Sequence, residues 1–306
     1  MQSKGVDMMA QVETNILGLD QISREPGVVG LLLVNNPFSH QPRLDGLDRL
    51  ALVVKEGEVP EKEIEHWLWK DSRVQVRRVS KEQLERWIVG SSNRGSAYWM
   101  IQGEILMDRD GFLNNLRERL LNWSPLIREQ KLLSEFSRFV RAYLQAKQDI
   151  QDGQVLDAYS NVLSCLHYWA HIALVEEGMH PELTVWEQMR RVNPGIYKLF
   201  EELTTSSESL EKRVQLVLLA CEFSILHKME SSCSLLIRLI ESREEAWTPA
   251  ELSQHPDLAG LSIEMSVLLY KLVSRGCIRE IAKPSASSGK GVMELKYASA
   301  SQARNK

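Results

Sequence analysis

Two short apolar runs, Val28–Val34 and Leu50–Val54, constrain the first third of this chain more than any other feature. The first is far too short to span a bilayer. Turn chemistry bounds both: Asn35-Asn36-Pro37 closes the first, and Lys55-Glu56-Gly57 closes the second. The pattern predicts strands at 28–34 and 48–54, joined by a polar, turn-rich segment.

The chain has 306 residues, enough for two or three domains. Hydrophobic residues make up 43% and charged residues 25%, so there is ample material for real cores. The net charge of −4 gives no global pull toward nucleic acid or an anionic membrane. Any nucleic-acid surface must therefore be a local patch. The start, Met1 to Asp7, lacks the apolar core of a signal peptide. The four cysteines, Cys165, Cys221, Cys233 and Cys277, show no Cys-x-x-Cys spacing. Buried free thiols, a cytoplasmic location and no membrane partner are expected.

Residues 1–120 read as mixed α/β. A helix is expected over 11–24, and Pro60 opens a second over Glu61–Trp69. A third strand is expected at 74–79. Ser80 and Gln83 form a capping box heading a helix over 81–89. An apolar segment, Tyr98 to Ile101, follows. Residues 121–245 read as a helical bundle, with periodicity through 126–149, 154–178, 183–203, 208–228 and 231–245. The clearest stripe is Leu210, Val214, Val217, Leu218, Cys221 and Ile225. Residues 246–298 give helix, turn, helix and hairpin, the winged-helix order, with Gly276 as a C′ glycine. Residues 299–306 read as a disordered tail.

Asp48 opens the second apolar run, and Ile105-Leu106-Met107-Asp108-Arg109-Asp110-Gly111 closes the α/β region before the helices begin. The spacing from Asn36 to Asp48 and the Leu-x-Asp-x-Asp-Gly end strand resemble the nucleotidyltransferase superfamily, including kanamycin nucleotidyltransferase. The whole chain is similar to nucleotidyltransferase-like proteins of Gram-positive bacilli that add a C-terminal winged helix. The resemblance implies an α+β fold: a nucleotidyltransferase-type mixed sheet domain, an α-helical bundle, then a winged helix. Enzymes of this layout end the first strand with Gly-Ser and open the second with Asp-x-Asp. Acids at i and i+2 share a face, and two-metal transfer needs such a paired ligand. Here Asn35 and Asn36 replace Gly-Ser, the second acid position is Leu50, and no third acid occurs near Val74-Gln75-Val76.

The resemblance therefore implies a catalytically degenerate protein with a binding or regulatory role. Asp48 and Asp45 are the residual catalytic positions, and Asn35 and Asn36 the ligand-binding ones. No cofactor is expected; Mg²⁺ enters only if Asp45 and Asp48 form a rearranged acid set in an active transferase. A structural adaptor with an empty cleft is the third alternative. Expected partners are a nucleotide or small ligand, DNA or protein through the winged helix, and a second copy of the chain. Lys271, Arg275, Arg279, Lys283 and Lys290 are the candidate nucleic-acid contacts.

His167 and His171 lie four apart on one helix face, a spacing that Zn²⁺ also uses, but no Glu follows His167 and apolar residues surround the pair. A packed histidine pair is expected. Trp67, Trp69, Trp87 and Trp99 carry no interleaved basic residues and are expected in cores or interfaces.

Overall fold

A strand apolar at every position must be covered on both faces. The computed structural model places the two apolar runs inside a five-stranded sheet, and it describes residues 19–35, 47–57, 59, 64–69, 71–90, 96–181, 185–284 and 292–300. The strands are β1 (Val28–Asn35), β2 (Arg49–Lys55), β3 (Ile64–Trp69), β4 (Ser72–Ser80) and β5 (Glu104–Asp108), in the spatial order β3-β4-β2-β1-β5. Among the described strands only the β2–β4 pair is parallel, so the sheet is mixed. Helix α1 (Leu19–Ser23) contributes Leu19 and Ile22 to one face, over Leu31, Leu33, Ala51 and Val53. Helices α2 (Lys81–Gly90), α3 (Ser96–Gln102) and α4 (Phe112–Leu121) cover the other, over Leu32, Leu50, Leu52 and Val54.

The capping box forms as the sequence implies. Gln83 N donates to Ser80 Oγ (3.1 Å), and Ser80 N donates to Gln83 Oε1 (2.9 Å). One expectation about this region fails. The segment expected as a helix over Glu61–Trp69 carries strand β3, paired antiparallel with β4 from Ile64↔Arg77 to Trp69↔Ser72. Its helical reading rested on six to nine residues, too few to separate a period of 3.6 from one of 2. The apolar segment Tyr98–Ile101 lies in helix α3, packed on the sheet through Trp99 and Met100. Of the helix expected over 11–24, only Leu19–Ser23 falls within the described residues.

The chain divides into two compact units, Met1–Ser124 and Pro125–Lys306. In the second, α5 (Pro125–Gln151) and α6 (Val155–Glu176) run back along each other, turned by Gly153 at φ 74°. Helices α7 (Val185–Val192) and α8 (Pro194–Thr205) divide where Asn193 Oδ1 accepts from Ile196 N and Pro194 takes the first helical position. Helix α9 (Leu210–Ser232) packs on α5 and α6 through Val214, Val217, Cys221 and Ile225.

The last elements are α10 (Ser234–Glu241), α11 (Pro249–Gln254), α12 (Met265–Ser274), β6 (Ile278–Pro284) and β7 (Met293–Ser299). Thr248 and Glu251 cap α11 reciprocally. Gly276, at φ 71°, ends α12: Cys277 N reaches Leu272 O and Gly276 N reaches Val273 O, a Schellman pair. Trp247 and Tyr297 exchange two main-chain bonds of 2.8 Å, an isolated bridge alongside the β6–β7 hairpin. Ser299, expected in the tail, instead pairs with Ile278 and is buried. A strand's main-chain ladder carries no composition signal, so small residues concealed it.

Candidate functional site

The sheet brings four residues into one row. Val34 pairs with Leu50, Leu50 with Gln75, and Gln75 with His66. Paired residues share a face, and Val34 and Leu50 both belong to the core under α2–α4. Leu50 is fully buried and Gln75 nearly so. An apolar side chain and a neutral amide therefore occupy neighbouring strand positions on the face covered by α2–α4.

Asp48 lies two residues before this row. Its N–H donates to Arg73 O (3.0 Å), and its Oδ2 accepts from Arg73 N (2.6 Å). The carboxylate thus ties the start of β2 to β4 through main chain. Asn35 is exposed at the end of β1, opposite Arg49, and strand alternation puts it with Leu31 and Leu33, on the face away from Leu50. Asn36, Asp45 and Lys290 lie outside the described residues.

The acids of the end strand are committed to α4. Asp108 Oδ2 accepts from Asn114 N (2.9 Å) and Nδ2 (2.8 Å), and its Oδ1 accepts from Leu113 N (3.2 Å). Asp110 pairs with Lys81, which holds its carboxyl below the usual range. Arg77, across from Leu52, lies over the rings of Trp87 and Trp99 at 5.6 and 5.5 Å. A basic residue distant in sequence thus joins tryptophans that looked isolated from any cation.

In the helical unit, α5 and α6 enclose a polar cluster that sequence reasoning missed. Glu135 is fully buried in α5. His171 Nδ1 of α6 lies 3.3 Å from its Oε2, and Arg138 Nη1 lies 3.8 Å from its Oε1. Burial opposes its charge, yet His171, Lys131 and Arg138 outweigh that and hold the carboxyl down to about 2. Burial pushes the Lys131 ammonium down to about 8, against the attraction of Glu135. The His167 ring stands 4.4 Å from that of His171 and 6.3 Å from Trp186, which stacks on Phe200 at 3.8 Å. The expected histidine pair is packed, but against a buried acid. The available signal was a charged residue inside the apolar stripe of Leu132, Leu133, Phe136, Phe139 and Val140. Among the described residues, no group of three or more His, Cys, Asp or Glu is placed to hold a metal ion.

In the last section, the start of α12 is docked on α5. Glu264 N donates to Ser137 Oγ (2.8 Å), and Arg141 Nη1 pairs with Glu264 Oε1 at 2.5 Å. Lys271 and Arg275 lie at the other end of α12, the second exposed. Arg279 and Lys283 share one face of β6 by alternation, with Lys296 and Glu294 across from Ile281 and Lys283. Arg279 Nε donates to Ser299 O (3.0 Å). Three cysteines, Cys165, Cys221 and Cys233, are buried free thiols and Cys277 is half-buried. No described helix is long and apolar enough to cross a membrane.

Comparison with known proteins divides the chain in three. Residues 11–128 match the family described as Nucleotidyltransferase-like, residues 129–228 the YgxA-like substrate binding domain, and residues 234–299 a Helix-turn-helix domain. YgxA of Bacillus subtilis (strain 168) is 32% identical over 254 residues, covering 83% of this chain and 86% of that one. A crystal structure of a nucleotidyltransferase-like protein from Exiguobacterium sibiricum 255-15 superposes with a TM-score of 0.82 at 28% identity, over 95% of this chain and 99% of that one.

Proposed function

The chain belongs to the nucleotidyltransferase-like family that includes YgxA of Bacillus subtilis, and we propose that it is a member that binds and regulates without transferring nucleotides. One observation carries this reading: Leu50 and Gln75 fill adjacent strand positions where metal-ligating acids are required. Two-metal transfer needs several carboxylates around ions about 3.5–4 Å apart. Among the described residues at this end of β2, Asp48 alone cannot supply them, and one of its oxygens already accepts from Arg73 N.

Binding then falls to the helical unit and the winged helix. The Glu135, His171, Arg138 and Lys131 cluster lies within the section that matches a substrate binding domain, and its excess of cationic groups suits a small anionic ligand. The helix-turn-helix match supports a DNA partner, reached by Lys271, Arg275, Arg279 and Lys283. Because the start of α12 is held on α5, these contacts would fall on phosphates rather than base edges.

Calorimetry with ATP, GTP, CTP and UTP, with and without Mg²⁺, tests the loss of transfer. No Mg²⁺-dependent binding is expected. Metal-dependent binding abolished in Asp48→Asn would overturn the reading and restore an active transferase.

A further inference from the structure

Helix α9 has two apolar faces, and among the described residues only one of them is covered. Val214, Val217, Leu218, Cys221 and Ile225 are buried against neighbouring helices. On the opposite side, Leu216 is 47% exposed, Leu219 68%, Phe223 64% and Leu226 44%. Lys212 and Glu230, both exposed, extend the same line at its two ends. The six positions 212, 216, 219, 223, 226 and 230 are spaced alternately by four and three residues. That is the heptad spacing of a helix seam that packs on another helix.

The order of residues along the seam identifies its occupant. When the helix meets a copy of itself antiparallel about a two-fold axis at Cys221, Leu216 faces Leu226 and Leu219 faces Phe223. Lys212 then faces Glu230, at both ends of the contact. One register thus matches every apolar residue with an apolar one and every charge with its opposite. A parallel pairing would oppose Lys212 to Lys212 and Glu230 to Glu230, which like-charge repulsion disfavours. The seam from residue 212 to 230 is about 27 Å long at 1.5 Å per residue, five turns of continuous contact. A two-fold contact of this kind is isologous, using one surface on both copies.

We propose that the exposed seam of α9 is a homodimer interface, joined antiparallel around Leu219 and Phe223 and closed at each end by Lys212 against Glu230 of the other copy. The interface is independent of the nucleotide-site reading, since it uses none of the sheet residues. Helix α9 belongs to the same compact unit as the winged helix, so a dimer joined here presents two copies of that element related by a two-fold axis. Such an arrangement suits two half-sites on one duplex.

Sedimentation equilibrium on the full-length chain, across a wide concentration range, tests the proposal. The wild type is expected to reach twice the chain mass. Phe223→Glu is expected to weaken association at least 100-fold; the residue is exposed, so the fold is retained and helicity by circular dichroism checks this. Lys212 also pairs within its own helix with Glu208 at 3.1 Å, so its substitution alone is ambiguous. Lys212→Glu should weaken the dimer about tenfold, and adding Glu230→Lys should restore it. A wild type that stays monomeric, a dimer indifferent to Phe223→Glu, or a double swap no tighter than the single would each overturn the proposal.

Discussion

Leu50 and Gln75 stand opposite each other across the parallel β2–β4 ladder, both buried, on the face covered by α2–α4. Asp48 lies two residues before Leu50 and spends its carboxylate on the main chain of Arg73. This carboxylate fastens the start of β2 to β4. Asp48→Ala should lower stability in urea by about 1.5–3 kcal/mol, the range for a hydrogen bond to a charged group. It should leave nucleotide affinity, measured by calorimetry, unchanged.

Gly30 sets how closely α4 approaches β1. A Cβ at Gly30 would lie 2.8 Å from Leu113 Cδ1 and 3.1 Å from its Cγ. Gly30→Val should therefore overpack the sheet–helix core and cost about 1–3 kcal/mol. Trimming the opposing side chain with Leu113→Ala should relieve part of that clash. The double variant should lose less stability than the two single losses added together, as a double-mutant cycle in denaturant would show.

The parts of the fold set by local chemistry were legible in the sequence. Ser80 and Gln83 announced a helix start, Gly276 a helix end, and the Val214–Ile225 stripe a bundle face. These signals lie within a few residues of what they control. Strand β3 was not legible, because its six residues, Ile-Glu-His-Trp-Leu-Trp, form a pattern that a short helix also fits. The departures from the Asp-x-Asp pattern that the resemblance implies were legible directly, at Leu50 and around Gln75. The Glu135–His171 contact was not, since 36 positions separate the two and only the packing of α5 on α6 joins them. Arg77 over Trp87 and Trp99 shows the same limit: contacts made by tertiary structure leave no spacing to read.

Glu135 gives the helical unit a defined pH response. Its carboxyl titrates near 2 when folded, against an ordinary value of 4.5. A lowered folded-state value stabilises above pH 4.5, and that contribution fades as pH falls toward 2. Its size is about 3 kcal/mol. Urea denaturation from pH 2 to 6 should show this loss in the wild type, and Glu135→Gln should flatten it.

Lys131 should act at the alkaline end. Its ammonium titrates near 8 in the folded chain and near 10.5 when exposed. Between these values the unfolded chain binds more protons, so stability should rise with pH across that window. Lys131→Met removes a partly desolvated charge that faces both Glu135 and Arg138. The variant should lose the rise between pH 8 and 10.5, read as a thermal midpoint that no longer climbs with pH.

The basic end of α12 and the wing carry the DNA prediction. Lys271 and Arg275 stand where the helix leaves the core, while Glu264 at its start pairs with Arg141. Binding through such groups is phosphate contact, so it should weaken with salt and depend little on sequence. Lys271→Glu combined with Arg275→Glu should reduce affinity for duplex DNA, measured by fluorescence anisotropy, and lower the slope of log affinity against log salt by about 2, close to one per lost phosphate contact. Arg279→Ala should have a smaller effect, because its Nε already donates to Ser299 O and helps hold β6 to β7. A slope unchanged by the double charge reversal would move the partner surface to the exposed apolar side of the wing, where Met293 and Leu295 lie.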